Sequence, residues 1–505
     1  MTERRSWLLA VPLALCLSLT ACLSGKGIFA PDPEKARPTV ITTHIMNYAS
    51  DIVGEDNFLW KELERRTNTQ LKITWIPSTS YDYRIKMLLA SGDLPDLTFV
   101  INLKMPLLQE LIRQGEFWDL TPYIDDYPHL AGLPEHSWKN SMIDGKKYAV
   151  PRYYPKVGGD LFPMLRKDWL DRLNLKVPET LDELYDVLHA FTYQDPDNNG
   201  LNDTIGFTGA LGSFRFAFNT FNETDGHWKV KGDQIVPILT EPASREALLW
   251  IKRAYDDGII DRNFPIIKLT QTEEAMKTGK AGVVAVSMAY SWKFIEALRS
   301  VHPKADVLPL SYLKGPTGQK YVPANEGFFG AYFIPKKVPE EKMKKILQFL
   351  DYGYSPEGND LVNFGLKDVH YIEKDGMKIA TEQARKDLII VGDNLGSIWR
   401  PLGYTQVVSA IGIDPEVYKR NQRIVEEREQ AISDNPGAGL YVESYIEHWP
   451  QIEQEVNDLR TQVILGRIPI QEYDAFIEQL KTREDYLTIV REMNEAYQQK
   501  IARNE

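Results

Sequence analysis

Cysteine is nearly absent from this chain. Of 505 residues only Cys16 and Cys22 carry a thiol, so no disulfide framework can stabilise it and the fold must stand on its core. Histidine is scarce too: the eight present are scattered, without the spacing of a metal-ligand set. Basic charge is in deficit, with 59 Lys and Arg against 71 Asp and Glu and a formal net charge of -12. That disfavours nucleic acid as a partner, because phosphate binding needs a basic field. There is no Gly-x-Ser-x-Gly elbow, no His-Glu-x-x-His helix and no Gly-x-x-x-x-Gly-Lys phosphate loop, which removes the commonest hydrolase and nucleotide chemistries. Beyond Leu19 no apolar run is long enough to span a bilayer, and no internal repeat or low-complexity segment occurs.

What is present begins with an export signal. Arg4 and Arg5 form a positive head, and Trp7 to Leu19 is an apolar run too short for a membrane span. It ends at Leu19-Thr20-Ala21-Cys22, which resembles a bacterial lipobox; Leu15, before Cys16, is too bulky for the same role. The resemblance implies a signal peptide over residues 1–21, cleavage before Cys22, and lipidation of its sulfur with palmitate-type acyl chains. Two chains anchor stably, since each buried methylene contributes about 0.8 kcal/mol. The expected location is extracytoplasmic, held to the cell membrane by lipid alone, where no ATP or NAD pool supports a cofactor enzyme. Residues 22–38, rich in Gly and Pro, read as the lipidated tether.

The remaining length exceeds one ordinary core and predicts two lobes. Thr39 to Ile45, Leu71 to Ile76 and Leu97 to Ile101 read as strands, with helices over Asn57 to Arg66, Tyr83 to Ala90 and Leu107 to Arg113. This alternation predicts a parallel sheet covered by helices. Thr180-Leu181-Asp182-Glu183 is a capping box, and Thr270 with Glu273 fits a second. Pro242 opens a helix that Gly258 stops, and Ala281 to Ser287 is a buried strand. Asp375-Gly376 marks a hairpin. From Pro415 onward amphipathic helices are expected near 416–433, 451–465, 471–481 and 484–501. The 11 Trp and 25 Tyr suit carbohydrate faces as well as ordinary packing.

The sharpest chemical motif is Asp195-Pro196-Asp197-Asn198-Asn199-Gly200-Leu201-Asn202-Asp203. Oxygen-bearing side chains at positions 1, 3, 5 and 9, with Gly at 6, match most of an EF-hand loop. The expected calcium ligands are Asp195, Asp197, Asn199 and Asp203 with the Leu201 carbonyl. Position 12 is Gly206 rather than Glu, so the expectation is a structural ion and not a switch.

A longer resemblance rests on Ser91-Gly92-Asp93-Leu94-Pro95-Asp96, Tyr148-Ala149-Val150-Pro151 and Arg166-Lys167-Asp168-Trp169-Leu170. It continues through Pro178-Glu179-Thr180-Leu181-Asp182-Glu183-Leu184, the cation loop, Tyr255-Asp256-Asp257-Gly258-Ile259-Ile260-Asp261, Gly279-Lys280-Ala281-Gly282 and Ser355-Pro356-Glu357-Gly358. In order and spacing the chain resembles the family 1 extracellular solute-binding lipoproteins of ABC importers, in the subgroup that includes alginate-binding proteins. The resemblance implies a two-lobed α/β fold of type 2 periplasmic-binding architecture, with parallel-rich sheets flanked by helices and a helical C-terminus. Lobe 1 would comprise 39–150 plus about 323–371, and lobe 2 would comprise 151–322 plus about 372–505. The implied function is a monomeric, non-enzymatic substrate-binding subunit that captures an oligosaccharide between the lobes and delivers it to permease transmembrane subunits.

Ligands of α/β sheets sit beyond the carboxyl ends of strands, which nominates Asn47, Tyr48, Tyr81 and Asn102. The first lobe crossing adds Arg152 and Tyr153, and the second adds Glu326. Likeness to maltose-type binders adds Trp292, with Trp399 in a similar late loop. Two rivals stay open: an extracellular glycan hydrolase using paired carboxylates, and a carrier of peptide-like ligands.

Overall fold

The computed structural model describes residues 37–47, 52–159, 161–374, 376–387, 389, 395–403, 414–433 and 435–502. The signal peptide, Cys22 and most of the tether, as well as Tyr48 and Asp375, lie outside the described residues. Everything below concerns the unit Thr39–Glu505.

The expected strands and helices form at the start of this unit. Thr39–Asn47 and Thr69–Pro77 pair in parallel, Thr39 opposite Thr69, around the helix Phe58–Thr67. That helix is capped by the Asn57 side chain, which accepts from the Leu59 N–H at 2.8 Å. A parallel bridge from Thr43 to Leu97 adds Thr98–Val100. Beyond it the pattern changes: Phe328–Phe333 inserts antiparallel to Thr98–Val100 on one side and to Ala149–Tyr153 on the other. The second sheet runs Val307–Pro309, Phe162–Arg166, Ala281–Val286, Ile205–Phe207, and among its ladders only the last is parallel. Both sheets are therefore mixed rather than parallel-rich. Local alternation shows that helices separate strands, but not that a distant segment returns between them.

Two cores follow from this. The first joins Ile41, Leu59, Phe99 and Val150 to Phe333, Leu347 and Trp399. The second joins Phe162, Leu188, Phe207, Trp228 and Val283 to Trp449 and Ile489, with a satellite around Val284, Phe294 and Val425. All six residues of Ala281–Val286 are buried, as an unbroken apolar run covered on both faces requires. The chain passes between cores after Tyr153 and returns after Val322. The segment 372–399, placed in lobe 2 by the sequence reading, packs instead on the first core through Ile389, Leu395, Ile398 and Trp399.

Thr180 and Glu183 form the expected reciprocal cap of Leu181–Tyr193. The second predicted box does not form at Thr270. The helix Leu269–Lys277 starts earlier, with the Gln271 side chain accepting from the Lys268 N–H at 2.9 Å. The helix Pro242–Asp256 stops at Gly258, whose φ of +69° is the left-handed turn that favours glycine. The C-terminal part is helical as expected, over Pro415–Glu429, Glu443–Ile464, Ile470–Leu480 and Glu484–Ala502, but the Glu443–Ile464 helix begins eight residues before the segment read at 451–465. Among the described residues no helix is long and apolar enough to cross a membrane.

Candidate functional site: a cavity between the two cores

The strand Phe328–Phe333 is bulged where it leaves the sheet. Its register against Ala149–Tyr153 shifts between Phe328 and Ala331, and Gly330 takes φ +74°. A bulge re-aims side chains, and here Phe328 and Phe329 line one wall of a cavity of about 480 Å³, together with Asn102 and Lys104 from the loop after Thr98–Val100. That volume suits a small to medium ligand. The facing wall comes from the second core: Arg215, Asp225, His227, Trp228, Tyr445 and Trp449.

Three rings, all buried in the second core, back that wall. Trp228 and Trp449 stack with centroids 5.7 Å apart and planes at 30°, and Tyr445 lies 5.2 Å from Trp449. Tyr445, Trp449 and Glu453 are spaced four residues apart, so the Glu443–Ile464 helix presents two rings and a carboxylate on one face. Burial raises the hydroxyls of Tyr441 and Tyr445 far above the ordinary phenol range, so both stay neutral donors. The His227 Nδ1 stands 3.7 Å from Glu453 Oε1; burial holds the imidazole below its ordinary value, with the Glu453 carboxylate acting in the opposite sense. Asp225 accepts from Asn219 Nδ2, the Tyr321 hydroxyl and the Ala324 N–H at 3.2–3.3 Å.

The two walls also touch directly. Lys104 Nζ lies 5.9 and 5.8 Å from the Tyr441 and Tyr445 ring centres, the Tyr441 hydroxyl donates to the Asn140 carbonyl at 3.0 Å, and Arg113 pairs with Glu443 at 3.5 Å.

Of the residues nominated from sequence, Asn102 and Glu326 line the cavity. Tyr81 does not: it is buried, with its hydroxyl on the Phe99 carbonyl at 3.1 Å. Arg152 is buried behind the wall, donating to the carbonyls of Phe329 at 3.2 Å and Ser397 at 2.8 Å, with its guanidinium 4.3 Å from the Phe99 ring centre. It positions the wall instead of facing it. Tyr153 is buried and donates to the Gly403 carbonyl at 3.1 Å; burial pushes its hydroxyl up to about 12. Trp399 is core, its indole N–H on the Leu350 carbonyl at 3.0 Å and its ring 4.8 Å from Phe349. Trp292 is half-buried on the helix Ser291–Arg299 with Lys293 Nζ 5.8 Å from its ring centre, and Asn47 ends the first strand; neither lines the cavity. Tyr445 and Trp449 are not nominated from sequence because Pro450 sits inside their helix, and a proline normally ends a helical pattern.

The acidic loop closes on itself through Asn199. Asp195 accepts from the N–H groups of Asn199 and Gly200, both at 3.0 Å, and the Asn199 amide donates to Asp197 at 2.9 Å and Asp203 at 3.1 Å while its oxygen accepts from the Leu201 N–H. Burial and the neighbouring Asp195 raise the Asp197 carboxyl, whereas Lys280 pairs with Asp203 and lowers it. Lys280 is a counter-ion that the neighbouring sequence does not contain. Among the described residues no group of three or more His, Cys, Asp or Glu side chains stands at metal-holding distance. The donor chemistry is that of a hard cation, with three carboxylates around one amide; ligation through the Asn199 oxygen needs that amide to turn over, and ligation by Asp203 needs Lys280 to withdraw. Gly206 cannot be a larger residue, since a Cβ there would lie 2.4 Å from the Leu188 carbonyl oxygen and 2.9 Å from that of Ile259.

Residues 49–360 match the family model for bacterial extracellular solute-binding proteins. The polygalacturonan/rhamnogalacturonan-binding protein YtcQ of Bacillus subtilis is 30% identical over 454 residues, covering 87% of this chain and 88% of that protein. Lipoprotein LipO of the same organism is 28% identical over 448 residues, covering 87% and 88%. Among solved structures, the substrate-binding protein FusA of Streptococcus pneumoniae, an ABC-transporter component in complex with kestose, superposes with a TM-score of 0.69 at 22% identity over 92% of this chain and 100% of that chain; an EF-hand mutant of FusA superposes with a TM-score of 0.68. The match spans more than half of the sequence, and the two-lobed fold agrees with it: this chain belongs to the bacterial extracellular solute-binding protein family.

Proposed function

We propose that this chain is the substrate-binding subunit of an ABC importer and holds an oligosaccharide in the cavity between its two cores. The observation that carries the reading is the construction of that cavity, in which one wall supplies Trp228, Tyr445 and Trp449 and the other supplies Asn102 and Lys104. Sugar rings present apolar faces to aromatic side chains and hydroxyl edges to amides and charges. A ligand that touches both walls favours the closed arrangement, because only differential affinity shifts such an equilibrium. Glu326, Arg215 and His227 complete the contacts, and the closed form docks on permease transmembrane subunits. The protein releases its ligand unchanged, as a monomer held near the permease by the lipid on Cys22 after removal of residues 1–21; its membrane contact is the acyl chains alone.

The loop Asp195–Asp203 takes one structural calcium in this reading. Asp195, Asp197, Asn199, Asp203 and the Leu201 carbonyl are its donors, and calcium displaces Lys280 from Asp203.

Titration calorimetry with an oligosaccharide panel tests the main reading. One saturable site is expected, with at least about a tenfold loss of affinity in Trp449→Ala, since a buried aromatic contact contributes over 1.4 kcal/mol. Shortened products after incubation with the purified protein would establish a hydrolase instead.

A further inference from the structure

Charge on the cavity walls separates ligand classes. The ionisable lining groups are Lys104, Arg215, Asp225, His227, Glu326 and Glu453. Three are carboxylates and two are permanent cations. Of the cations, Lys104 is held over the rings of Tyr441 and Tyr445, a contact that fixes the position of its charge without neutralising it. Among the described residues the carboxylate of Glu326 has no cation within ion-pair distance, and the group standing against Glu453 is His227, 3.7 Å away. Burial keeps that imidazole below its ordinary value, so at neutral pH Glu453 faces a neutral ring. The net charge of -12 for the whole chain adds a field of the same sign to the cavity mouth.

Building on the reading of the cavity as an oligosaccharide site, we infer that it selects neutral oligosaccharides and rejects those whose sugars carry carboxylates. Glu326 and Glu453 serve as hydrogen-bond acceptors for sugar hydroxyls, a role in which a carboxylate makes stronger bonds than a neutral acceptor. The same two groups repel a uronate, and a like charge facing a like charge across an interface costs enough to reverse a preference.

The test uses the full mature protein and calorimetry at pH 7.5 with three sets of tetra- to hexasaccharides: neutral fructans and glucans, oligogalacturonates, and the same oligogalacturonates fully methyl-esterified. The tightest ligand is expected in the neutral or esterified sets, with the free acids weaker by about tenfold or more. The variant Glu326→Gln with Glu453→Gln should narrow that gap and keep the parent melting temperature, because neither change leaves a buried charge. If a free oligogalacturonate binds as tightly as its ester, or is the tightest ligand, the selectivity inference is overturned while the oligosaccharide reading stands. If no member of any set binds, the oligosaccharide reading itself falls.

Discussion

Trp399 is the residue where ligand contact and core packing make opposite predictions. It is fully buried, its indole N–H donates to the Leu350 carbonyl at 3.0 Å, and its ring packs on Phe349 at 4.8 Å. The backbone of Gly353 passes so close that a Cβ there would lie 2.0 Å from the indole ring. Trp399→Ala removes a whole buried ring and should cost about 3–5 kcal/mol. Trp399→Phe keeps most of the apolar contact but leaves the Leu350 carbonyl without its donor, for a loss of about 1–3 kcal/mol. Gly353→Ala overpacks the same contact by about 1–3 kcal/mol. The smaller phenyl ring should relieve part of that clash, so the double variant should be less destabilised than the sum of the two single changes. Urea unfolding followed by far-UV circular dichroism reads these differences as shifts in the transition of the first core, and calorimetry below the transition reads affinity. A Trp399→Phe protein that unfolds like the parent but binds its sugar ten times more weakly would refute the core assignment and return Trp399 to the ligand.

Arg152→Lys should destabilise by about 2–3 kcal/mol in the same urea assay, because an ammonium cannot hold the Phe329 and Ser397 carbonyls together and its charge stays buried; parent-like stability would show that the two carbonyls do not depend on the guanidinium fork. Added calcium should raise the melting temperature of the parent, by about 2.7 kcal/mol of stabilisation at a hundredfold excess over the dissociation constant. Asp195→Ala should abolish that rise, and chelator-insensitive melting of the parent would remove the ion from the account. For His227 the pKa is depressed in the folded state, so the native protein resists a proton that the unfolded chain accepts. Stability from this group is complete above the unfolded value of about 6.5 and declines as pH falls below it toward the folded value. His227→Gln should flatten that part of the stability–pH curve measured by chemical denaturation, and an unchanged slope would show that the ring is not held neutral. Gly206→Ala should lower the melting temperature by forcing the strand Ile205–Phe207 away from the helix Leu181–Tyr193, and an unchanged value would contradict the contact with Leu188.

Local signals were legible where local chemistry decides them. The Asn57, Thr180 and Pro242 helix starts, the Gly258 stop and the buried run Ala281–Val286 each depend on a few adjacent residues, and each stands where the sequence places it. The lining residues Asn102 and Glu326 were reachable by the rule that strand ends and crossings face a cleft. Tyr81, Arg152 and Tyr153 satisfied the same rule by position, and Trp399 was nominated by likeness of its loop, yet all four turn inward, because a side chain's direction depends on which backbone carbonyl lies within its reach. For Arg152 and Trp399 those carbonyls belong to residues 177 and 49 positions away, and no local pattern encodes them. The antiparallel insertion of Phe328–Phe333 is the same kind of event at the level of a whole strand.

The aromatic wall is the instructive omission. Tyr445, Trp449 and Glu453 share one face at a spacing of four, a pattern visible in sequence, yet Pro450 breaks the reading in the middle of it. Proline inside a helix costs about 3 kcal/mol or more, and a helix keeps one only when its packing offsets the loss. The offset is on the same helix: Trp449, Ile452, Val456 and Val463 are all buried in the second core. Pro450 also deprives the Ile446 carbonyl of its usual helical donor, and both residues line the cavity. The helix that supplies Tyr445 and Trp449 thus starts at Glu443, just after Tyr441, where both residues touch the first core through Arg113 and Asn140, and it ends packed in the second. A sugar stacked on Trp449 and hydrogen-bonded to Asn102 would lie alongside those contacts, so its binding energy and the cross-lobe contacts of Lys104, Arg113 and Tyr441 favour the same closed arrangement.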